Sequence, residues 1–293
     1  MLNFSCENCP RLCKNRPFCG KSQDKIRVAK VMRHFFEEPP ICPKDKGSGA
    51  VFFSFCSLKC VFCQNYNISH EGQGKDLSIE QLVEIFKQID NSTVANLNLV
   101  TPTHYADKII TALKIAKMHK PVVWNSSGYE RAQTIEKLRG LVDVFLLDCK
   151  YYDDKIAMKY SKANGYFDYF IDVYKKAREI VGEDIYENGE MKKGIIVRHL
   201  VLPNNYKDSI NIFKNIKEKL GNNMCISVMS QYTPVFNSKD YEEINRGLHN
   251  LEYKKVLNEI EKMGFKNGFI QDLTSASCDY TPDFSLEKFD ELN

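Results

Sequence analysis

Three cysteines stand in "SFCSLKCVFCQNY", at Cys56, Cys60 and Cys63, with the spacing C-x3-C-x2-C. Thiolates are the ligands of iron–sulfur clusters, and a cubane cluster normally takes four. Three thiolates fix three corners and leave the fourth iron open to a small molecule. Zinc is the alternative, but structural zinc closes its shell with four donors, and this loop offers three. A second group, Cys6, Cys9, Cys13 and Cys19, follows C-x2-C-x3-C-x5-C. Four thiolates so close in sequence suit a closed site for a second metal, either zinc or an auxiliary iron–sulfur cluster, with Cys42 as a spare ligand. Cys149, Cys225 and Cys278 are scattered and read as small buried hydrophobes.

The elements that must position the Cys56 loop begin near residue 50. "AVFFSF" (50–55), "NLNLV" (96–100), "PVVWNS" (121–126), "VDVFLLD" (142–148), "GIIVRHLVL" (194–202), "MCISVMS" (224–230) and "GFIQDL" (268–273) read as strands. Between them, helical periodicity covers 78–89, 107–119, 131–138, 155–181, 207–220 and 251–263. Ser78 and Gln81 form a capping box at the first of these helices. Strand–helix alternation predicts βαβ units and a parallel sheet. The expected fold is α/β, a partial (β/α)6 TIM-like barrel spanning 50–293. Ahead of it, 1–49 is expected to be an irregular extension, because Pro and Gly punctuate it throughout, and its clustered cysteines are expected to bind metal. In barrels the site lies at the carboxyl ends of the strands. There the chain carries Cys56, Thr101–His104, Asn125 and Ser126, Asp148 with Lys150, Arg198 and His199, and Ser230 with Gln231.

Hydrophobic residues make up 43% of the 293, enough for a sizeable core, and the net charge of +3 shows no basic stripe. That balance argues against a nucleic-acid partner. No apolar run approaches the length of a membrane span, and the first residues lack a signal-peptide core. The expectation is a cytoplasmic protein with reduced, metal-binding thiols.

The cysteine loop after the first strand of a βα array resembles that of the radical S-adenosyl-L-methionine (SAM) superfamily. Further blocks, "NLNLVTPTHY", "VVWNSSGYE", "KKGIIVRHLVLP", "ISVMSQYTP" and the leading "CENCPRLC", are similar to an uncharacterised family of pyruvate formate-lyase activating enzyme-like proteins. The resemblance implies a 4Fe–4S cluster on Cys56, Cys60 and Cys63 whose open iron holds the methionine end of SAM. Reductive cleavage would give a 5′-deoxyadenosyl radical that abstracts a substrate hydrogen atom. It places Phe62 by the adenine and Asp148 and Lys150 near the ribose and carboxylate. It puts Arg198 on the carboxylate, with Thr101, Thr103, Asn125, Ser126 and Gln231 around the cofactor. Where many relatives carry Gly-Gly-Glu, this chain has Thr101, Pro102, Thr103 and His104, and Phe55 replaces the usual small residue before the first cysteine.

Because the cofactor carries the difficult chemistry, no side chain is singled out as catalytic. The implied partners are a flavodoxin or ferredoxin as electron donor and a protein or peptide substrate, as in glycyl radical activation. Modification of a small metabolite is the alternative, and a redox or scaffold protein that never cleaves SAM is the non-enzymatic one. Tyr66, Tyr105, Tyr129, Tyr151, Tyr152 and Tyr232 fall on loops at the expected mouth.

Overall fold

The computed structural model describes residues 4–22, 24–272 and 284. The expected Cys278 and the end of the last strand lie outside them. Two short strands, β1 (Ser5–Cys6) and β2 (Cys13–Lys14), pair antiparallel and set Cys6 opposite Cys13. Next come β3 (Ile26–His34), β4 (Ser48–Phe53), the short α1 (Tyr66–Ser69) and β5 (Lys75–Leu77). The chain then alternates through α2 (Ile79–Asn91), β6 (Leu97–Val100), α3 (Ala106–Ala116), β7 (Val122–Ser126), α4 (Ala132–Glu136) and β8 (Val144–Asp148). It continues through α5 (Asp154–Ser161), α6 (Tyr166–Val181), β9 (Ile185–Glu187), β10 (Glu190–Leu200), α7 (Tyr206–Leu220), β11 (Cys225–Met229), α8 (Asn250–Lys262) and β12 (Gly268–Ile270).

The strands β4, β6, β7, β8, β10, β11 and β12 pair in chain order, every neighbour parallel. This is the strand order of an α/β barrel laid around its axis. Each strand alternates between two faces because successive side chains point oppositely. On the outer face, Val51, Phe53, Leu97, Leu99, Trp124, Phe145, Leu147 and Val197 pack against Phe86, Ile109, Ile135, Phe170 and Ile212 of the helices. Each such fully buried side chain is worth roughly 1.5–3 kcal/mol. The inner face begins apolar, with Val123, Val144, Leu146, Ile196 and Cys225. One pleat further along it turns polar, to Asn125, Asp148, Arg198 and Ser227. Register then sets Arg198 opposite both Asp148 and Ser227.

The leader departs from the expected irregular extension. Residues 26–34 form a nine-residue strand that pairs antiparallel with both β4 and β5, so the sheet continues across the expected boundary at residue 50. The register shifts between Val28 and Lys30, and this bulge turns Ile26, Val28 and Val31 to the helix face while Ala29 and Met32 face the other way. Flanking Pro and Gly hid an alternation that the bulge had already broken.

Residues 35–47 then cross the amino ends of the strands, since His34 pairs with Ser48 at the start of β4. Ile41 in this segment is fully buried among Val123, Val144, Leu146 and Ile196. The segment is the floor of the barrel. Two further expectations change. The helix over 155–181 is broken between Ser161 and Tyr166, where Lys162 and Gly165 adopt left-handed φ of 54° and 64°. The polar stretch 183–193 is a hairpin of β9 with β10, turned at Asn188 and Gly189.

Candidate functional site

The cysteine loop leaves β4 through a backbone reversal at Phe55, whose φ is 70°. A bulky residue rarely holds that conformation. Here the ring is accommodated by Gly20 and Gly72, where an added Cβ would come within 3.1 Å and 2.3 Å of it. Beyond the turn, the loop docks on the end of α5. The backbone N–H of Lys59 donates to Ser161 O (3.1 Å) and that of Val61 to Tyr160 O (2.9 Å). Cys60 lies between these two anchors, and the Ser161 hydroxyl donates to its Sγ at 2.9 Å. Cys63 Sγ lies 3.1 Å from Ser69 Oγ, and Cys56 Sγ accepts from the Leu58 N–H at 3.4 Å.

All three cysteines line one cavity of about 640 Å³ at the carboxyl ends of the strands, together with Thr101, Asn125, Ser126, Asp148, Lys150, Arg198 and Gln231. Burial pushes the thiols up, Cys56 to about 12 and Cys63 to about 11, with Cys60 adding to both shifts. Three buried thiols ionise together only against positive charge. Among the described residues no group of three or more His, Cys, Asp or Glu is arranged to hold a single metal ion. The donor set, all sulfur and spread over the cavity mouth, fits a cluster that takes one thiolate at each of three corners. An apolar groove of about 600 Å³ beside α2, lined by Val31, Leu77, Val83 and Ile115, brings no such donors together.

Asp148 and Lys150, expected near the ribose and carboxylate, pair with each other, Lys150 Nζ donating to Asp148 Oδ2 at 2.6 Å. Lys150 also bears electrostatically on Cys60. Arg198, expected on a cofactor carboxylate, is engaged by protein on three sides. Its Nε donates to Asp148 Oδ1 (2.8 Å), one Nη to Glu37 Oε2 (2.8 Å) and the other to Asn125 Oδ1 (2.6 Å).

Glu37 escaped the sequence reading. It rises from the floor segment and also accepts from Asn125 Nδ2 (2.8 Å) and Asn98 Nδ2 (3.2 Å). Its neighbour Glu38 lines the same cavity, and burial drives that carboxyl above its usual range against the pull of Arg198. His34 Nδ1 and Glu38 Oε2 are buried without a partner among the described residues. The signal was an adjacent acidic pair inside an otherwise apolar "HFFEEPPIC", since carboxylates are almost never buried without partners.

The turn after β6 is held from behind. Thr101 sits at a left-handed φ of 58° and lines the cavity. Thr103 instead turns away and donates to Glu130 Oε1 at 2.8 Å. Glu130 is fully buried and also accepts from Trp124 Nε1 (2.9 Å) and Ser126 Oγ (2.6 Å). Burial raises its carboxyl, and these three donors oppose that rise. Glu130→Leu strands the Trp124 indole N–H, whereas the two hydroxyls can rotate elsewhere. The expected loss is about 1–3 kcal/mol in urea unfolding, and a loss below measurement would refute this positioning role.

His104 and His199, both candidates by position, are structural. His104 is bonded to Ser54 O at 2.7 Å, and burial lowers it to about 3. His199 is bonded to Cys149 O and Ser209 Oγ, and burial lowers it to about 4. Phe62 is turned into the core, its ring centroid 5.7 Å from that of Tyr232. The side chain of Gln231 accepts from Gln271 Nε2 at 2.7 Å.

The leading cysteines lie against this site. Arg11 Nε donates to Ser57 O (3.0 Å), Lys59 Nζ to Cys19 O (3.5 Å), and Lys21 Nζ to His104 O. Cys9 feels Cys6, Cys19 and Cys13, and burial pushes it to about 12. Cys13 Sγ accepts the Phe18 N–H at 3.3 Å. As placed, these thiols do not close on one ion.

The profile of the family described as "Radical SAM superfamily" matches residues 50–205. An uncharacterized protein of Methanocaldococcus jannaschii is 32% identical over 239 residues, covering 78% of this chain and 65% of that protein. This chain therefore spans somewhat less than two thirds of that relative. The pyruvate formate-lyase-activating enzyme of Clostridium pasteurianum is 26% identical over 223 residues, 73% of this chain and 83% of the enzyme. Among solved structures, methylornithine synthase matches with a TM-score of 0.52 at 14% identity, covering 83% of this chain and 77% of that one. That likeness concerns the fold. Among the described residues, no helix is long and apolar enough to cross a membrane.

Proposed function

The chain belongs to the radical SAM superfamily, and from that premise we propose that Cys56, Cys60 and Cys63 hold a 4Fe–4S cluster at the cavity mouth and that SAM fills the space beneath it. The observation that carries this reading is the convergence of the three thiols on a 640 Å³ cavity at the carboxyl ends of parallel strands. When bound, the cluster and SAM supply one-electron cleavage of the sulfonium and a deoxyadenosyl radical that abstracts hydrogen.

The chain's own residues bind and orient. Lys150, close to Cys60, faces the methionine carboxylate as a point charge. Asp148 receives the ribose hydroxyls, and Arg198 holds Asp148 in place. Thr101, Asn125 and Ser126 border the adenosyl group, and Gln231 closes the side of the cavity near Gln64. Thr103 acts through Glu130, and Phe62 supports the loop from the core.

The substrate is a glycine-bearing segment of a partner protein, and the activity is glycyl radical activation. The likeness to the Clostridium pasteurianum enzyme supports this. A second reading, a small polar metabolite, is favoured by His34 Nδ1 and Glu38 Oε2 on the cavity wall, which have no partner among the described residues. A flavodoxin or ferredoxin delivers the electron. Cys6, Cys9, Cys13 and Cys19 are the donors for a second metal, zinc or an iron–sulfur cluster, whose binding would have to draw the four thiols together, and residues 1–49 are tied to the cysteine loop by Arg11 to Ser57 O and by Lys59 to Cys19 O.

The test is anaerobic reconstitution with iron and zinc counts, followed by dithionite and SAM. Deoxyadenosine formation is expected. Its absence from cluster-loaded protein would leave only a redox or scaffold protein. Deuterium transferred from a labelled glycine of a partner protein supports activation, and transfer from a metabolite supports the second reading.

A further inference from the structure

Two of the three candidate cluster thiols are tied to serine hydroxyls, and each serine is itself tied to a second polar group. Ser161 Oγ donates to Cys60 Sγ at 2.9 Å and lies 2.6 Å from the Tyr151 hydroxyl. Ser69 Oγ lies 3.1 Å from Cys63 Sγ and 2.9 Å from His70 Nδ1. An iron-bound thiolate has no proton to give, so the direction of every bond follows. Each serine donates to sulfur and accepts from its other neighbour. Tyr151 therefore donates to Ser161, and His70 donates from Nδ1 to Ser69. Among the described residues, Cys56 Sγ has the Leu58 N–H alone, at 3.4 Å.

Geometry holds the first chain tightly. Ser161 and Tyr151 are 0% and 1% exposed. The main chain on both sides of Cys60 is bonded to residues 160 and 161, and Arg11 reaches Ser161 O at 3.5 Å. The O–H···S distance cannot relax without moving the loop.

We infer that Tyr151–Ser161 and His70–Ser69 are donor chains that raise the reduction potential of the cluster, with Ser161 the stronger. Reduction adds negative charge that spreads onto the thiolates. A fixed donor stabilises the reduced form more than the oxidised one, and hydrogen bonds to sulfur are one of the protein's levers on cluster potential. A donor that is itself hydrogen-bonded is polarised and stronger. These are positioning residues, acting on the cluster through its ligands. The inference rests on the cluster assignment proposed above.

The experiment is an anaerobic redox titration without SAM, read by electron paramagnetic resonance of the reduced cluster. In Ser161→Ala the reduced-to-oxidised ratio at a fixed poise falls about tenfold, a drop of 59 mV in a one-electron couple. Ser69→Ala falls about threefold. Tyr151→Phe keeps the serine and falls between parent and Ser161→Ala, and Ser161→Thr recovers the parent value. Coincident potentials in the parent and both alanine variants overturn the inference while leaving the cluster intact. If Ser161→Ala assembles no cluster, the other three variants decide, and an unshifted Tyr151→Phe with an unshifted Ser69→Ala overturns it. A parent protein that assembles no cluster sinks the underlying assignment instead, and the inference with it.

Discussion

Cys60→Ala protein, reconstituted anaerobically, is expected to keep its fold and lose both the cluster and deoxyadenosine formation. The fold persists because the loop is held by main-chain bonds from Lys59 and Val61 to α5, which the substitution leaves alone. Truncating one partly buried sulfur costs about 1 kcal/mol. The cluster is lost because two thiolates cannot fix three corners. Removing an outer partner of a metal ligand typically costs 10–100-fold in affinity or activity, and removing the ligand itself costs more. The measurement pairs iron per chain with deoxyadenosine released after dithionite and SAM, and circular dichroism reports the fold. Cys56→Ala and Cys63→Ala should behave alike, whereas Cys149→Ala, at a thiol buried in the core, should retain the cluster. Deoxyadenosine at a rate near that of the parent in Cys60→Ala would overturn the assignment of this loop.

The parallel array was legible because each strand is a short apolar run followed by a periodic helix. The capping box of Ser78 and Gln81 forms as expected. That Cys56, Cys60 and Cys63 share one cavity was legible because they stand close together within one short segment after a strand. What stayed hidden depends on contacts far apart in sequence. Glu37 has meaning only once Arg198 and Asn125 lie above it. The floor segment was hidden by its own prolines. Ser161 was hidden by the expectation of an unbroken helix. With the helix ended at Ser161, that residue presents both its carbonyl and its hydroxyl to the cysteine loop. Arg198 shows a different limit. A guanidinium at a strand end was read as a carboxylate receptor, and the residue type alone does not tell a ligand's carboxylate from those of Asp148 and Glu37.

That network makes Asp148→Asn the substitution with the largest expected effect on stability. Asp148 takes Lys150 on one oxygen and Arg198 on the other, and the side chains of Asp148 and Arg198 are 15% and 13% exposed. Burial alone would push the carboxyl up, but the charges of Arg198 and Lys150 outweigh it and hold the group below its ordinary range. Neutralising it removes the ion-pair partner of Lys150 and, among the described residues, leaves Arg198 with Glu37 as its ion-pair partner and the charge of Glu38 nearby. Breaking a buried ion pair by removing one partner costs about 3–5 kcal/mol, and access of water from the cavity places this case near about 3 kcal/mol. The pH dependence gives a sharper test. A carboxyl whose folded pKa is depressed stabilises the fold fully above its unfolded pKa of about 4, and that stabilisation is lost as pH falls through the lower folded value. The gap between parent and variant in urea unfolding should therefore be constant from pH 8 to about 5 and close only below about pH 4. Asp208, raised to about 6 mainly by burial, imposes the opposite slope between about 4 and 6, but it does so in both proteins and cancels from the difference. A gap that stays open at the acid limit would mean that Asp148 acts through packing and hydrogen bonds rather than charge. A gap absent at neutral pH would mean that Glu37 alone suffices to hold Arg198.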